Sequence, residues 1–461
     1  MKKIVALVRQ ALSGQEEDYT QGSIRRAIVL LSIPMIMEMA MESLFAVADV
    51  FFVSRVGVAA VTTVGLTESV VTLIYALAIG LSMAATAMVS RRIGEKRPEA
   101  AAQAAAQAML IALGVSTVLG ILGVWFAADI LRLMGGTAEV VAMGTPYTRI
   151  MLGGNLAITF LFLLNGIFRG AGDAAIAMRS LWIANLINIA LDPIFIFGWG
   201  PIPEMGVTGA AIATTIGRSV GVLYQLYILF GPKGRIQLDG RAFLPAPHLL
   251  AKLGKIAATG AGQFMIASAS WIFLMRIIAT LGSEAVAGYT IAIRLIIFTI
   301  LPSWGISNAA ATLVGQNLGA GQPQRAEESV WKAAWYNMIF LFSVSLVYFA
   351  GSHQILSWFD TNPAVLEAGV TSLRIICTGY IFFAYGMVIS QAFNGAGDTR
   401  TPTWVNFICF WLLEIPLGYL LAVTLGWGLA GVCWSIAISE TVLAALVVLI
   451  FRKGKWKTTE I

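Results

Sequence analysis

Two histidines and three cysteines are all that 461 residues offer for zinc or redox chemistry, and Cys377, Cys409 and Cys433 all lie in apolar stretches. That scarcity argues against a metal centre or a disulfide frame. Charge is equally thin. Asp, Glu, Lys and Arg make up 12% of the chain, where a soluble protein carries about a quarter. No Walker-type glycine loop, catalytic triad or metal-ligand cluster is present, so neither nucleotide hydrolysis nor ordinary enzyme chemistry has residues to work with, and no cofactor is expected. What is abundant is hydrophobic: 58% of the residues, including 24 Phe, 13 Trp and 17 Met. At about 20 residues per crossing, a dozen crossings need roughly 240 to 250 residues and leave loops averaging under about 20. Such loops are too short for a separate soluble domain, so function must reside in the membrane part. The net charge of +6 would suggest nucleic acid in a soluble chain; here it serves orientation, and no nucleic-acid partner is expected.

Apolar runs punctuated by Gly, Pro and charge clusters predict an all-α integral membrane protein with 12 transmembrane helices. Spans 1 to 6 lie near 27–53, 61–88, 100–125, 143–168, 174–198 and 206–230, and spans 7 to 12 near 250–279, 285–312, 328–350, 368–392, 402–424 and 429–452. The stretch before them carries Glu16, Glu17 and Asp18 and lacks a continuous apolar core, so it reads as a leader, amphipathic or disordered, and not as a cleavable signal. Basic residues gather on one side. Lys2, Lys3, Arg9, Arg25 and Arg26 precede span 1, Arg91, Arg92, Lys96 and Arg97 follow span 2, Lys233, Arg235 and Arg241 follow span 6, and Arg452, Lys453, Lys455 and Lys457 follow span 12. The opposite side holds little beyond Arg55 and Arg132. The positive-inside rule then places both termini in the cytoplasm, in the cytoplasmic membrane, which an even number of spans satisfies.

The chain matches itself at a shift of 225 residues: Gly57 with Gly282, Ala60 with Ala285, Gly94 with Gly319, Pro98 with Pro323. The strongest pair is Phe168-Arg169-Gly170-Ala171-Gly172-Asp173 with Phe393-Asn394-Gly395-Ala396-Gly397-Asp398. Two pseudo-symmetric six-helix lobes follow, related by an axis along the membrane normal because each repeat holds an even number of spans. The predicted organisation is a leader over 1–26, lobes over 27–230 and 250–452, a cytoplasmic linker over 231–249 and a basic tail over 453–461. Parallel repeats suit a rocking transporter with its cavity between the lobes. The Gly-Ala-Gly-Asp segments read as tight turns whose aspartates cap the next helix, and they lack the lysine and strand of a phosphate loop.

Ionisable groups within spans are costly and therefore informative. Glu38, Glu42 and Asp49 share a face of span 1, since steps of four and seven return to the same side of a helix. Asp49 sits among Ala46, Val47, Ala48, Val50, Phe51 and Phe52 with no basic neighbour within a helical turn. Desolvation disfavours an isolated carboxylate, which suits reversible proton binding; the alternative is an acid reaching interfacial water. On span 5, Asn188 and Asp192 are four apart, and Pro193 frees the carbonyl of Ile189. Oxygens of this kind serve a proton relay or a small hard cation, the latter placing sodium at Asp49, Asn188 and Asp192. Asn165 and Thr214 either complete that shell or bond between helices. Pro34 makes span 1 a kink or a switch. At the repeat shift Pro34, Glu38 and Asp49 face Thr259, Gln263 and Leu274, so coupling is expected in the first lobe only. Glu414 and Glu440, on spans 11 and 12, line a cavity or reach interfacial water.

Pro34, Ala48-Asp49, the Phe168–Asp173 segment with its repeat, Asn188 through Asp192-Pro193, and Gly209-Ala210-Ala211-Ile212-Ala213-Thr214 together resemble the multidrug and toxic compound extrusion (MATE) family. The resemblance covers nearly the whole chain. It implies two six-helix lobes around a central cavity and export of hydrophobic or cationic organic compounds in exchange for protons or sodium ions. It also implies that Asp49 and Asp192, with Asn165, Asn188 and Thr214, form the coupling site and that Pro34 marks a bending helix. Sodium-coupled members carry acids on spans 7 and 10; Gln263 and an acid-free span 10 make this chain similar to the DNA-damage-inducible protein F branch. Glu38 and Glu42 are left as cavity residues that attract cationic substrates. The expected partners are small-molecule substrates and membrane lipids, with the protein a monomer. A gradient suffices as the energy source, one charge crossing about 100 mV being worth roughly 2.3 kcal/mol. The alternatives are a lipid-linked oligosaccharide flippase, for which Arg276, Arg294 and Arg374 would bind pyrophosphate, and an intramembrane enzyme.

Overall fold

The computed structural model describes residues 2–14, 17–232 and 234–461, with side chains from Val5 onward. Glu16, Lys233 and the side chains of Lys2 and Lys3 lie outside the described residues. The fold is all helical; among the described residues the β pairing is one isolated bridge between Trp199 and Ile202. A short leader helix α1 (Lys2–Ser13) precedes α2 (Ile24–Ser54), α3 (Val58–Gly94), α4 (Pro98–Leu133), α5 (Ala138–Gly153), α6 (Asn155–Ala171), α7 (Ala174–Phe197) and α8 (Val207–Leu229). After the linker come α9 (Pro247–Ala279), α10 (Ser283–Gly319), α11 (Pro323–Ser357), α12 (Pro363–Thr378) and α13 (Tyr380–Ala396). Span 11 is α14 (Arg400–Asn406) and α15 (Ile415–Tyr419), interleaved with π-helical turns over Phe407–Glu414 and Leu420–Thr424, and α16 (Gly428–Arg452) is span 12. Among the described residues, ten helices are long and apolar enough to cross a membrane, eleven if α12 and α13 count as one crossing. Of the twelve expected spans α8 falls outside that set, because it carries Arg218, Gln225 and several Thr and Gly residues.

The 225-residue repeat recurs in the element boundaries. Shifting α3, α5 and α6 by that amount reproduces α10, α12 and α13 residue for residue. The local causes repeat as well. Pro98 and Pro323 open α4 and α11, where a missing N–H costs nothing. Thr137 accepts from the Val140 nitrogen to cap α5, and Asn362 accepts from that of Ala364 to cap α12. Gly172 and Gly397 end α6 and α13 in the left-handed region, at φ 92° and 88°, where a side chain would be strained. Spans 4 and 10, predicted as single helices, are each broken, at Gly154 and Gly379, and the second break bends by 57°. Hydropathy carries no signal for such a break, since both halves remain apolar.

The helices form two compact units, Met1–Asp18 with Met37–Ala261 and Tyr19–Ile36 with Gly262–Ile461. The divisions within α2 and α9 also fall one repeat apart. Gly80 of α3 and Gly305 of α10 show why: a Cβ on Gly80 would lie 2.7 Å from the Ala261 nitrogen, and one on Gly305 2.7 Å from that of Ile36. Each missing side chain admits another helix to backbone contact. Within the first unit the linker is tied down, Gln107 donating to the carbonyls of Ala242 and Leu244 and Arg235 to that of Ala171.

Candidate functional site

Three groups of polar side chains lie along α2 within the first unit. Glu38, 1% exposed, accepts from Asn165 Nδ2 at 2.9 Å and from Arg169 Nη1 at 3.1 Å. Arg169 Nη2 donates to Ser82 Oγ at 3.0 Å, and Gln225 Nε2 donates to Asn165 Oδ1 at 2.6 Å. The sequence placed Arg169 in a turn. In the structure α6 runs on to Ala171, so Arg169 stands one helical turn from Asn165, on the same face. That four-residue spacing was the available signal. Asn165 is thus bonded to Glu38 and Gln225 and makes no hydrogen bond to Asp49 or Asp192 among the described residues.

Glu42 accepts from Asn185 Nδ2 at 3.1 Å and lies 3.9 Å from Arg218 Nη2. Arg218 is 3% exposed; it donates to the Tyr75 hydroxyl at 2.7 Å, and its guanidinium lies 5.5 Å from the ring centroids of both Phe45 and Tyr75. Its Nε and Nη1 have no protein partner. Asp49 lacks a basic neighbour within a turn of its own helix, but α8 supplies this one, which acts electrostatically on it. Sequence reading passed over Arg218, although it stands one turn beyond Thr214.

At the third position Asn188 Nδ2 donates to Thr214 Oγ1 at 2.9 Å and to Asp192 Oδ1 at 3.5 Å. Asp192 is fully buried and Asp49 half-buried. Asp49 acts electrostatically on Asp192 and on Glu68 of α3, and all three act on Tyr147 of α5. The structure thus draws Asp49, Asn188, Asp192 and Thr214 into one neighbourhood and adds Glu68, Tyr147 and Arg218. Backbone proximity sets the geometry: a Cβ on Gly217 of α8 would sit 3.2 Å from the Asn188 nitrogen. Two buried oxygens here, Asn188 Oδ1 and Asp192 Oδ2, have no hydrogen-bond partner. Burying an acceptor unpaired costs about 1–3 kcal/mol, so the pair calls for a donor or a cation. Among the described residues no three His, Cys, Asp or Glu side chains are grouped to hold a metal; oxygens for a cation would come from Asp49, Asp192, Asn188 and Thr214.

Pro34 lies inside α2, in the stretch that belongs to the second unit, three residues before the first unit's share begins. Arg276, Arg294 and Arg374 are all exposed, and Arg374 donates to Ser352 Oγ. Of the two Gly-Ala-Gly-Asp turns, Asp398 caps the next helix by accepting from the Thr401 nitrogen at 3.1 Å, whereas Asp173 makes no side-chain cap bond.

The sequence pattern of the MatE family matches residues 34–194 and 261–420, and the chain belongs to that family of membrane transporters. It is similar to the probable multidrug resistance protein NorM of Thermotoga maritima, 26% identical over 435 residues, covering 94% of this chain and 93% of the relative. It is also 27% identical over 402 residues to an FAD transporter of Shewanella oneidensis, covering 86% and 88% of the two chains. A solved structure of a multidrug resistance MATE family transporter of the MOP superfamily, in an outward-facing conformation, superimposes with a TM-score of 0.89 at 28% identity, covering 96% of this chain and 98% of that one. The protein is therefore an all-helical, two-lobed integral membrane transporter of the MatE family.

Proposed function

We propose that this protein is a secondary antiporter of the cytoplasmic membrane, with both termini in the cytoplasm, that exports amphipathic, often cationic organic compounds in exchange for protons. The observation that carries the reading is the pair of orphan oxygens on Asn188 and Asp192, beside Asp49. A proton on Asp192 turns an acceptor into a donor and satisfies Asn188 Oδ1 without any metal. Removing that proton restores a charge next to Asp49, and the cost of two neighbouring carboxylates favours a second conformation. Arg218 supplies a tethered positive charge that moderates this cost between Glu42 and Asp49. Gln263 and the absence of Asp and Glu from residues 368–392 of span 10 support the branch in which first-lobe acids dominate.

Kinship to an FAD transporter supports a second substrate reading, but Glu42, Glu68, Asp49 and Asp192 outnumber Arg218 in this neighbourhood, which favours a cation over a diphosphate. The test uses purified protein in lipid vesicles, with proton or sodium gradients imposed separately and a cationic dye as cargo. Dye should move against its gradient when the proton gradient alone is applied, and excess FAD should not compete. Asp49→Asn should abolish this movement in protein that is still inserted and folded. Normal efflux by well-folded Asp49→Asn protein would sink the assignment, and transport driven by sodium alone would reassign the coupling ion.

A further inference from the structure

The second unit contains a partly open chamber lined by Trp271, Tyr380, Phe383 and Phe410 together with two carboxyl groups, Glu414 and Glu440. Glu414 is 3% exposed and Glu440 half-buried. The two are close enough that Glu440 acts electrostatically on Glu414. Among the described residues neither accepts a hydrogen bond from an amide, lysine or arginine, in contrast to Glu38 and Glu42. The other titratable groups facing them are neutral side chains: Tyr289 of α10, whose hydroxyl is buried without a partner, Tyr380 of α13, and Cys409. Arg294, on the same helix as Tyr289, is exposed and is not among the groups acting on either acid.

Backbone features place these acids. Pro416 has no N–H, so the Leu412 carbonyl loses its usual helical partner, and the chain widens into π turns over Phe407–Glu414 that end on Glu414 itself. The helix break at Gly379 opens the facing wall, where Gly379 and Tyr380 border the same chamber. A carboxylate buried without a partner is costly, whereas the neutral acid is not. Small hard metal cations take about six oxygens, and this chamber offers two carboxyls and a Tyr380 hydroxyl that already meets Thr299 Oγ1 at 3.3 Å; the rest is hydrocarbon and aromatic ring. The ligand those groups can take is a proton.

We propose that Glu414 and Glu440 form a second proton-exchange site, in the second unit and separate from Asp49 and Asp192. Its acids stand on spans 11 and 12, while spans 7 and 10 contribute the rings of Trp271, Tyr380 and Phe383. The site rests on the proton-driven reading above. Its test can fail without it: infrared difference spectra of the full-length protein in lipid, stepped from acid to alkaline pH, read protonated carboxyl groups whether or not transport occurs. Glu414→Gln/Glu440→Gln should remove from the titrating acid band the component that these two carboxyl groups contribute. That component should persist in Asp49→Asn/Asp192→Asn, whose loss of transport tests the other reading. Protons taken up per dye molecule should also fall in the Glu variant. An acid band unchanged by Glu414→Gln/Glu440→Gln overturns the proposal, as does loss of the Glu band on adding sodium at fixed pH. If the Gln pair does not accumulate, the single variants Glu414→Asp and Glu440→Asp keep an acid at each position and should shift the band; an unshifted band in both overturns it equally.

Discussion

Burying Arg169 beside Glu38 takes two charges out of water, and the surrounding bonds from Asn165 and to Ser82 make that tolerable. Removing one partner strands the other. Arg169→Met should therefore destabilise the protein by about 3–5 kcal/mol, and Arg169→Met/Glu38→Gln should recover most of that loss. Thermal unfolding of the purified protein in detergent micelles measures both. A double variant no more stable than the single would show that the ion pair is not what holds α2 against α6. At this scale the acids were legible in the sequence because charge inside an apolar run stands out. Their partners were not: Arg218 looks like one basic residue in a Gly- and Thr-rich span until α8 folds it toward Glu42 and Tyr75.

At the level of elements, the position of Asn188 depends on how closely α8 approaches α7. Gly217 has no room for a side chain, a Cβ there lying 3.2 Å from the Asn188 Cβ. Overpacking of this kind costs about 1–3 kcal/mol and is relieved by moving a helix. Gly217→Val should thus reduce dye transport sharply by displacing Asn188 from Thr214, while Gly65→Val, where a Cβ meets nothing within 4 Å, should leave vesicle transport near wild type. Equal activity in both variants would show that the helix contact does not set the site. Proline and glycine signals made most helix ends legible, as at Pro98, Pro323, Gly172 and Gly397. The breaks at Gly154 and Gly379 and the π turns before Pro416 were not, because each depends on what packs around the helix and not on its own hydropathy.

For the whole molecule, Cys377, Cys409 and Cys433 are buried and Glu460 is exposed. A membrane-impermeant thiol reagent should therefore leave the wild type unlabelled and should label Glu460→Cys in inside-out vesicles only. Labelling from the outer face instead would invert the proposed topology. Composition alone determined that the chain lives in a bilayer, since so few charges cannot solvate a globule. The 225-residue repeat determined that it is built twice, and the isolated acids showed where burial is expensive enough to signify function. Tertiary structure decided the pairings: Asn165 with Glu38, Arg218 among Glu42 and Tyr75, Glu414 and Glu440 in one chamber. It also assigned the opening turns of α2 and α9 to units other than those of their own repeats. Periodicity states which side of a helix is polar, but not which helix it meets; that choice rests on close backbone contacts such as those at Gly80, Gly217 and Gly305, which arise only once the chain has packed.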